Sequence, residues 1–279
     1  MTTFDARTQA MIEANRANWD ARAPIHRASA FYGLDGSRPA QGWFAAYEWA
    51  DLPALDGADV LHLQCHLGTE TLAFAERGAR PVGLDISGES VREARRLAAD
   101  RGLDVEYVRA NVYDAVEAVG RTFDVVYTGK GSLCYLPSLD PWARVVADLL
   151  RPGGACYVVE FHPLLYALGV VPGPDDEGLV LRNDFLSGRG AEERDATRTY
   201  TDGPALTEST VAYEWRHEVG EVVTALVGAG LRIERVREDP RLPWPRWPSM
   251  VPDADGWFTL PESAPRIPLL YAVLAVKPR

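Results

Sequence analysis

Val60-Leu-His-Leu-Gln-Cys-His-Leu-Gly-Thr69 joins a short apolar run to a helical pattern, and 17 residues after Gly68 stands Asp85, the end of a second run, Arg80-Pro-Val-Gly-Leu-Asp85. Strand, tight turn, helix and a strand closing on an acidic residue form the pattern of a nucleotide-type cofactor site, where the carboxylate accepts hydrogen bonds from ribose hydroxyls. A dinucleotide site needs G-x-G-x-x-G, because its glycines let the backbone approach a pyrophosphate. Gln64 and His66 fill the first two of those positions. A cofactor that carries adenosine but no pyrophosphate relaxes the demand.

Outward from that turn, short β-rich runs alternate with helical patterns, which is how a parallel sheet with crossover helices reads. Asp59 to Gln64, Arg80 to Asp85, Val105 to Arg109, Phe123 to Thr128 and Ala155 to Glu160 are expected strands. Thr69 to Arg77, Gly88 to Arg101 and Pro141 to Leu150 are expected helices, the last closed by Arg-Pro-Gly-Gly. A helix around Trp215 to Ala229, a strand at Leu231 to Arg237 and a final strand at Leu270 to Val276 complete the set. The fold expected is an α/β, Rossmann-like seven-stranded and mostly parallel sheet, helices on both faces, with the last strand antiparallel. Residues 1–51, with a helix over Arg7 to Asp20 and an aromatic stretch behind it, read as a lid segment. The core is then 52–279, with insertions on the acceptor side at about 163–214 and 239–268. The second insertion is dense in proline but carries Trp244, Trp247 and Trp257, which argues for a packed lid over a linker.

The 279 residues are 47% hydrophobic and 25% charged, the balance of a globular protein. Acidic residues outnumber basic ones 40 to 29, a net charge of −11, which argues against nucleic acid or an anionic membrane as partner. Cys65, Cys134 and Cys156 are odd in number and lack C-x-x-C spacing, so neither a disulfide framework nor a metal site is expected, and a reducing, cytoplasmic setting fits. The opening MTTFDARTQA does not resemble a secretory signal, and the most apolar run, Ala155 to Val171, is broken by Glu160, His162 and Pro163, too short for a membrane span.

The turn V-L-H-L-Q-C-H-L-G-T, then G-L-D-I-S, R-A-N-V-Y-D, F-D-V-V-Y-T-G and L-L-R-P-G-G, in that order, resemble the class I S-adenosylmethionine-dependent methyltransferases over roughly residues 55–161 and the closing elements. The resemblance implies S-adenosyl-L-methionine as cofactor and S-adenosyl-L-homocysteine as product. It puts the methionine part against His62, Gln64, His66 and Gly68, the ribose on Asp85 beside Ile86, and the adenine between Asn111 and Val112. Thr128 lies where the fourth strand opens onto the methionine end. For Trp19 on the first helix, outside the resemblance, the readings are a cover over the cofactor or a tryptophan buried by an amphipathic helix. Where the family carries an acidic residue in the first strand this chain has His62, and at the adenine contact Asn111.

The function expected is methyl transfer to a small hydrophobic or aromatic acceptor, with natural-product metabolism one setting, in a monomer or homodimer. An NAD-dependent oxidoreductase and a non-catalytic cofactor-binding or scaffold protein are the alternatives. Methyl transfer needs a general base only where the acceptor atom carries a high-pKa proton. His162, at the carboxyl end of the fifth strand where ligands bind in open α/β sheets, is the expected base, against a loop residue capping the strand. Tyr135 is expected to orient the acceptor or to pack its loop. For His26 the readings are closure over the cofactor or a plain helix-end position, and for His217 a surface position on a helix. His62 and His66 with Cys65 do not form a metal set, since strand alternation sends Cys65 the other way.

Overall fold

Asp59–Leu63 (β1) is buried at all five positions, as a central strand covered on both faces must be. The computed structural model describes residues 4–168 and 180–279. Around β1 the chain runs α1 (Ala6–Ala28), α2 (Ala46–Asp51), β1, α3 (Thr69–Glu76), β2 (Arg80–Asp85), α4 (Gly88–Asp100), β3 (Glu106–Arg109), α5 (Ala115–Val119), β4 (Phe123–Thr128), α6 (Leu139–Leu149), β5 (Leu150–Phe161) and α7 (Pro163–Ala167). It continues through β6 (Glu192–Asp195), β7 (Val211–Glu214), α8 (Val219–Gly228), β8 (Arg232–Asp239), the two-residue strands β9 (Arg241–Leu242), β10 (Val251–Pro252) and β11 (Phe258–Thr259), and β12 (Leu270–Val276).

Seven strands form one sheet in the order β3-β2-β1-β4-β5-β12-β8. Pairing is parallel from β3 to β5, and β12 runs antiparallel to both β5 and β8. The Rossmann-like sheet with an antiparallel last strand is thus the expected one. One face packs on a core around Trp142 of α6 and Leu226 of α8, the other on Phe74 of α3 with Tyr127 and Tyr157. A third cluster, around Trp247, Met250 and Trp257, lies within the proline-rich insertion. Its tryptophans are buried at 3% exposure, so that segment is packed.

Three expectations are corrected. The first helix does not stop at Asp20 but continues to Ala28 with Pro24 inside it. Proline removes one helical hydrogen bond; the far end is held instead by tertiary contacts, Asn18 Nδ2 donating to Ser209 O at 2.6 Å and His26 meeting His66 at 2.9 Å. Arg-Pro-Gly-Gly does not end before β5 but lies inside it as an irregularity in the pairing with β4. Gly154 allows this, because a Cβ there would stand 2.9 Å from Arg151 O. Helix α8 starts at Val219, so His217 precedes it; its Nε2 bonds Leu136 O at 2.8 Å and its side chain is only 6% exposed, which removes the surface reading.

Candidate functional site

The carboxyl ends of β1, β2, β4 and β5 open onto one cavity of about 630 Å³, closed from above by α1, the β6–β7 region and the 244–246 segment. Its position is the one the topology of an open α/β sheet dictates, at the reversal of strand order beside β1. The segments 15–31 and 202–213 are tied to each other. Asn15 Nδ2 donates to Tyr213 O at 2.8 Å, Tyr213 N donates back to Asn15 Oδ1 at 2.7 Å, and Asp202 accepts from the N–H groups of Ala30 and Phe31. Insertion residues 169–179 lie outside the described residues.

The turn after β1 is the most strained backbone of the site. Gln64, His66 and Gly68 have φ of 55°, 48° and 73°. Left-handed geometry costs a non-glycine residue of order 1–3 kcal/mol, and such positions persist only when the surroundings hold them. Here the holding groups are explicit: Cys65 N donates to Leu84 O at 2.9 Å, His66 N to Asp85 Oδ2 at 2.8 Å, and Gln64 Nε2 to Ser132 O at 2.9 Å. The backbone therefore keeps the shape that glycines would give, while two side chains enter the site.

Asp85 ends β2 and lines the cavity. Burial pushes its carboxyl up to about 6, against the pull of the Ser87 and His66 N–H groups, each at 2.8 Å. Ile86, Asn111 and Val112 line the cavity beyond it; His62, Gln64, His66 and Trp19 line the other side. Trp19 stands edge-on to His66 and Tyr135, with ring centroids at 4.9 and 5.3 Å. Eight residues expected around the cofactor thus line the same cavity as Tyr135.

Gly68 and Thr128 are not on that wall. A Cβ at Gly68 would stand 2.4 Å from Tyr107 Oη, so the glycine is needed for packing under α3, not for an opening. Thr128 is fully buried below the site. His162 also departs from expectation. It caps α7, its Nδ1 accepting from Leu164 N at 3.1 Å, while Nε2 faces Glu238 at 3.2 Å and the ring lies off the cavity. The capping reading holds because the strand end turns directly into α7, whose first N–H groups need an acceptor. His26 lies in the last turn of α1, as the helix-end reading has it, but it is fully buried and off the cavity lining, with Nδ1 2.9 Å from His66 Nε2 and Nε2 2.6 Å from Thr199 Oγ1. Burial, with help from the Arg22 charge, lowers it to about 3.

The structure adds residues that the motifs do not reveal. Arg22 of α1 lines the cavity at 9% exposure, and among the described residues no carboxylate lies within ion-pair distance of it. Gln64 Oε1 is buried without a hydrogen-bond partner. Glu160, at the end of β5, accepts the N–H groups of Gly131, Ser132 and Leu133 and so fixes the loop that carries Tyr135. Lys130 bonds Trp43 O at 3.0 Å and Glu48 Oε2 at 3.2 Å; as one of two lysines in the chain it was the one visible signal among these. The lining also includes Phe31, Trp43 and Trp244 together with Glu70, Arg194 and Arg198, so it is both aromatic and charged. Among the described residues no group of three or more His, Cys, Asp or Glu side chains could hold a metal, and no helix is long and apolar enough to cross a membrane.

Residues 61–156 match the family model described as a methyltransferase domain. Over those 96 of its 279 residues, from β1 into β5, the chain is similar to methyltransferase domains. It is 30% identical over 115 residues to a ubiquinone biosynthesis O-methyltransferase of Brucella anthropi, covering 41% of this chain and 46% of that one. To the protein of the same name from Xanthomonas campestris pv. campestris it is 34% identical over 122 residues, 42% and 50% of the two chains. The chain spans about half the length of the curated relatives it matches. Among solved structures, an S-adenosylmethionine-dependent methyltransferase from Mesorhizobium loti superposes with a TM-score of 0.58 at 24% identity over 87% of this chain and 99% of that one. A complex of DhpI with SAH gives 0.56 at 21%, over 97% and 99%. Both likenesses concern the fold.

Proposed function

We propose that the protein transfers a methyl group from S-adenosylmethionine to a small organic acceptor with an aromatic part. The observation that carries this reading is the cavity itself, lined by a buried carboxylate at the end of β2 and, with no partner among the described residues, by an amide oxygen on the turn after β1 and a buried guanidinium without a carboxylate. These are the partners a molecule with ribose hydroxyls, an ammonium and a carboxylate requires. In this reading Asp85 accepts from the ribose hydroxyls, Ile86, Asn111 and Val112 flank the adenine, and Gln64 Oε1 accepts from the methionine ammonium. Arg22 pairs with the methionine carboxylate, His62 and His66 border the methionine end, and Trp19 covers it.

When bound, the cofactor supplies an activated methyl electrophile, so the protein's task is positioning and the exclusion of water. Trp43, Phe31 and Trp244 offer the acceptor flat apolar faces, and Tyr135 offers a hydroxyl next to Trp19. The names of the curated relatives, O-methyltransferases of ubiquinone biosynthesis, support a small-molecule acceptor. Calorimetry with S-adenosylmethionine, S-adenosylhomocysteine and NAD tests the reading. Selective binding of S-adenosylmethionine and S-adenosylhomocysteine, with S-adenosylhomocysteine formed from the methyl donor on addition of an acceptor, is expected. Binding of NAD alone would transfer the site to an oxidoreductase, and binding without turnover over a broad acceptor panel to a non-catalytic role.

A further inference from the structure

The chain has five histidines, and among the described residues three of them have both ring nitrogens in hydrogen bonds, while His217 Nδ1 lies near a carboxylate without bonding it. His26 meets His66 and Thr199; His66 meets His26 and Ser90; His162 meets Leu164 N and Glu238; His217 bonds Leu136 O, with its other nitrogen 3.1 Å from Glu221. His62 differs. Its Nδ1 lies 2.8 Å from Thr71 Oγ1, and among the described residues Nε2 has no hydrogen-bond partner while the ring lines the cavity.

What faces that nitrogen is equally specific. A Cβ added at Gly129, the bare residue just past β4, would lie 3.4 Å from His62 Nε2 and 3.7 Å from Glu70 Oε1. The space over Gly129 is thus bordered by an imidazole nitrogen and a carboxylate oxygen. Glu70 accepts from Thr69 Oγ1 at 2.6 Å and, among the described residues, has no Lys, Arg or His within ion-pair distance. Trp43, Glu70 and Lys130 line the same end of the cavity, and the ring of Tyr127 backs the imidazole edge-on at 5.0 Å.

Resting on the methyl-transfer reading above, we propose that His62 is the general base and that the acceptor is an aromatic alcohol whose hydroxyl sits over Gly129 between His62 Nε2 and Glu70. In the step, the hydroxyl oxygen forms its bond to the methyl carbon as the carbon–sulfur bond breaks with its electron pair left on sulfur. The hydroxyl proton passes to Nε2. Atoms and charge balance: one positive charge stands on sulfur before the step and one on the imidazolium after it, so the cavity never holds both. Glu70 stabilises the imidazolium as it forms, and Lys130 opposes it. A neutral ring before the step is secured by burial, which lowers His62 to about 4.

The test has two parts. In wild-type protein labelled with ¹⁵N-histidine and loaded with S-adenosylmethionine, the His62 ring is expected to be neutral at pH 7.5 with Nε2 unprotonated, and to titrate at higher pH once S-adenosylhomocysteine replaces the sulfonium. A ring protonated on Nε2 overturns the proposal, whether or not any variant folds. In turnover at saturating S-adenosylmethionine, His62→Gln should lose roughly 100- to 10,000-fold on unsubstituted phenols but less than about tenfold on 4-nitrophenolate, which is already ionised. Equal losses on both acceptors, or none, overturn it. Binding of S-adenosylhomocysteine without methylation of any phenol overturns the base and the acceptor class but leaves methyl transfer standing; failure to bind it removes the parent reading instead.

Discussion

His26 Nδ1 lies 2.9 Å from His66 Nε2, so the end of α1 is tied to the turn after β1 through two imidazoles. His66 also bonds Ser90 Oγ through Nδ1 at 2.9 Å, and His26 reaches Thr199 in the β6–β7 region. Cofactor turn, first helix and insertion are thus joined by one buried chain of polar contacts. Neither imidazole can gain a proton without losing a bond in which its nitrogen accepts, and burial holds both neutral.

Stability should therefore fall in acid. A histidine whose folded pKa is depressed below 6.5 binds protons more readily when unfolded, so stability is full above that pH and is lost as pH drops below it. His26 at about 3, His62 at about 4 and His66, also lowered, all act in that direction. Asp85, raised to about 6, acts oppositely between pH 6 and 4, one group against three. Denaturant unfolding at pH 7.5, 6.0 and 5.0 is expected to give a declining series, with a shallower slope in His26→Gln. A flat or rising series contradicts the neutral network.

Cofactor affinity should decline over a related range for a different reason. Asp85 must be ionised to accept two ribose hydroxyls, and its free-protein value of about 6 means that proton release is linked to binding below that pH. Asp85→Ala removes charge-assisted hydrogen bonds worth roughly 1.5–3 kcal/mol, about ten- to a hundredfold in affinity. Calorimetry with S-adenosylhomocysteine at pH 7.5 and 5.0 measures both effects, and unchanged affinity in folded Asp85→Ala would falsify the ribose assignment.

Arg22 invites the reverse of an ordinary charge deletion. A buried guanidinium without a carboxylate is a cost to the free protein, so Arg22→Met is expected to leave the melting temperature unchanged or higher while S-adenosylhomocysteine affinity drops by an order of magnitude or more. A variant that melts lower and binds normally would make Arg22 a packing residue stacked near Trp19, whose ring centre is 5.3 Å away.

Gln64→Gly should separate the turn's strain from its chemistry. Glycine relieves the left-handed φ of 55° and is expected to raise stability by about 1 kcal/mol, whereas loss of Oε1 weakens the cofactor's ammonium contact. Unfolding and calorimetry on one preparation report the two, and a variant that gains affinity would show that the side chain obstructs the site.

His162→Ala is expected to cost about 0.5–2 kcal/mol of stability as a lost helix cap and to leave turnover per folded molecule intact. A fall in turnover with normal melting would return His162 to the reaction.

The apolar runs made a mostly parallel sheet legible, because a fully buried parallel strand must be apolar and each crossover must be a helix; the antiparallel last strand came from the family resemblance, and the strand order from the structure. The boundaries of β2, β4 and β12 follow from that pattern alone. Asp85 ends β2, Asn111 and Val112 follow β3, and all three line the cavity. The surroundings of His162, His26 and His217 were not legible, since whether an imidazole faces a cavity, a helix end or another ring depends on elements far apart in sequence. His162 is answered by α7 and Glu238, His26 by His66 and Thr199, His217 by Leu136.

Sequence alone determined the scaffold and the edge of it that carries the site, because hydrophobic periodicity and turn chemistry act over a few residues. Tertiary structure alone decided which side chains meet there. Gln64 and His66 are held in left-handed backbone by Leu84, Asp85 and Ser132, and α1 persists past Pro24 because the insertion binds it. Glu70 and His62 border one space because Gly129 has no side chain to fill it. Those outcomes depend on desolvation and on partners up to 198 residues away, such as Asn15 and Tyr213, a separation no local pattern encodes.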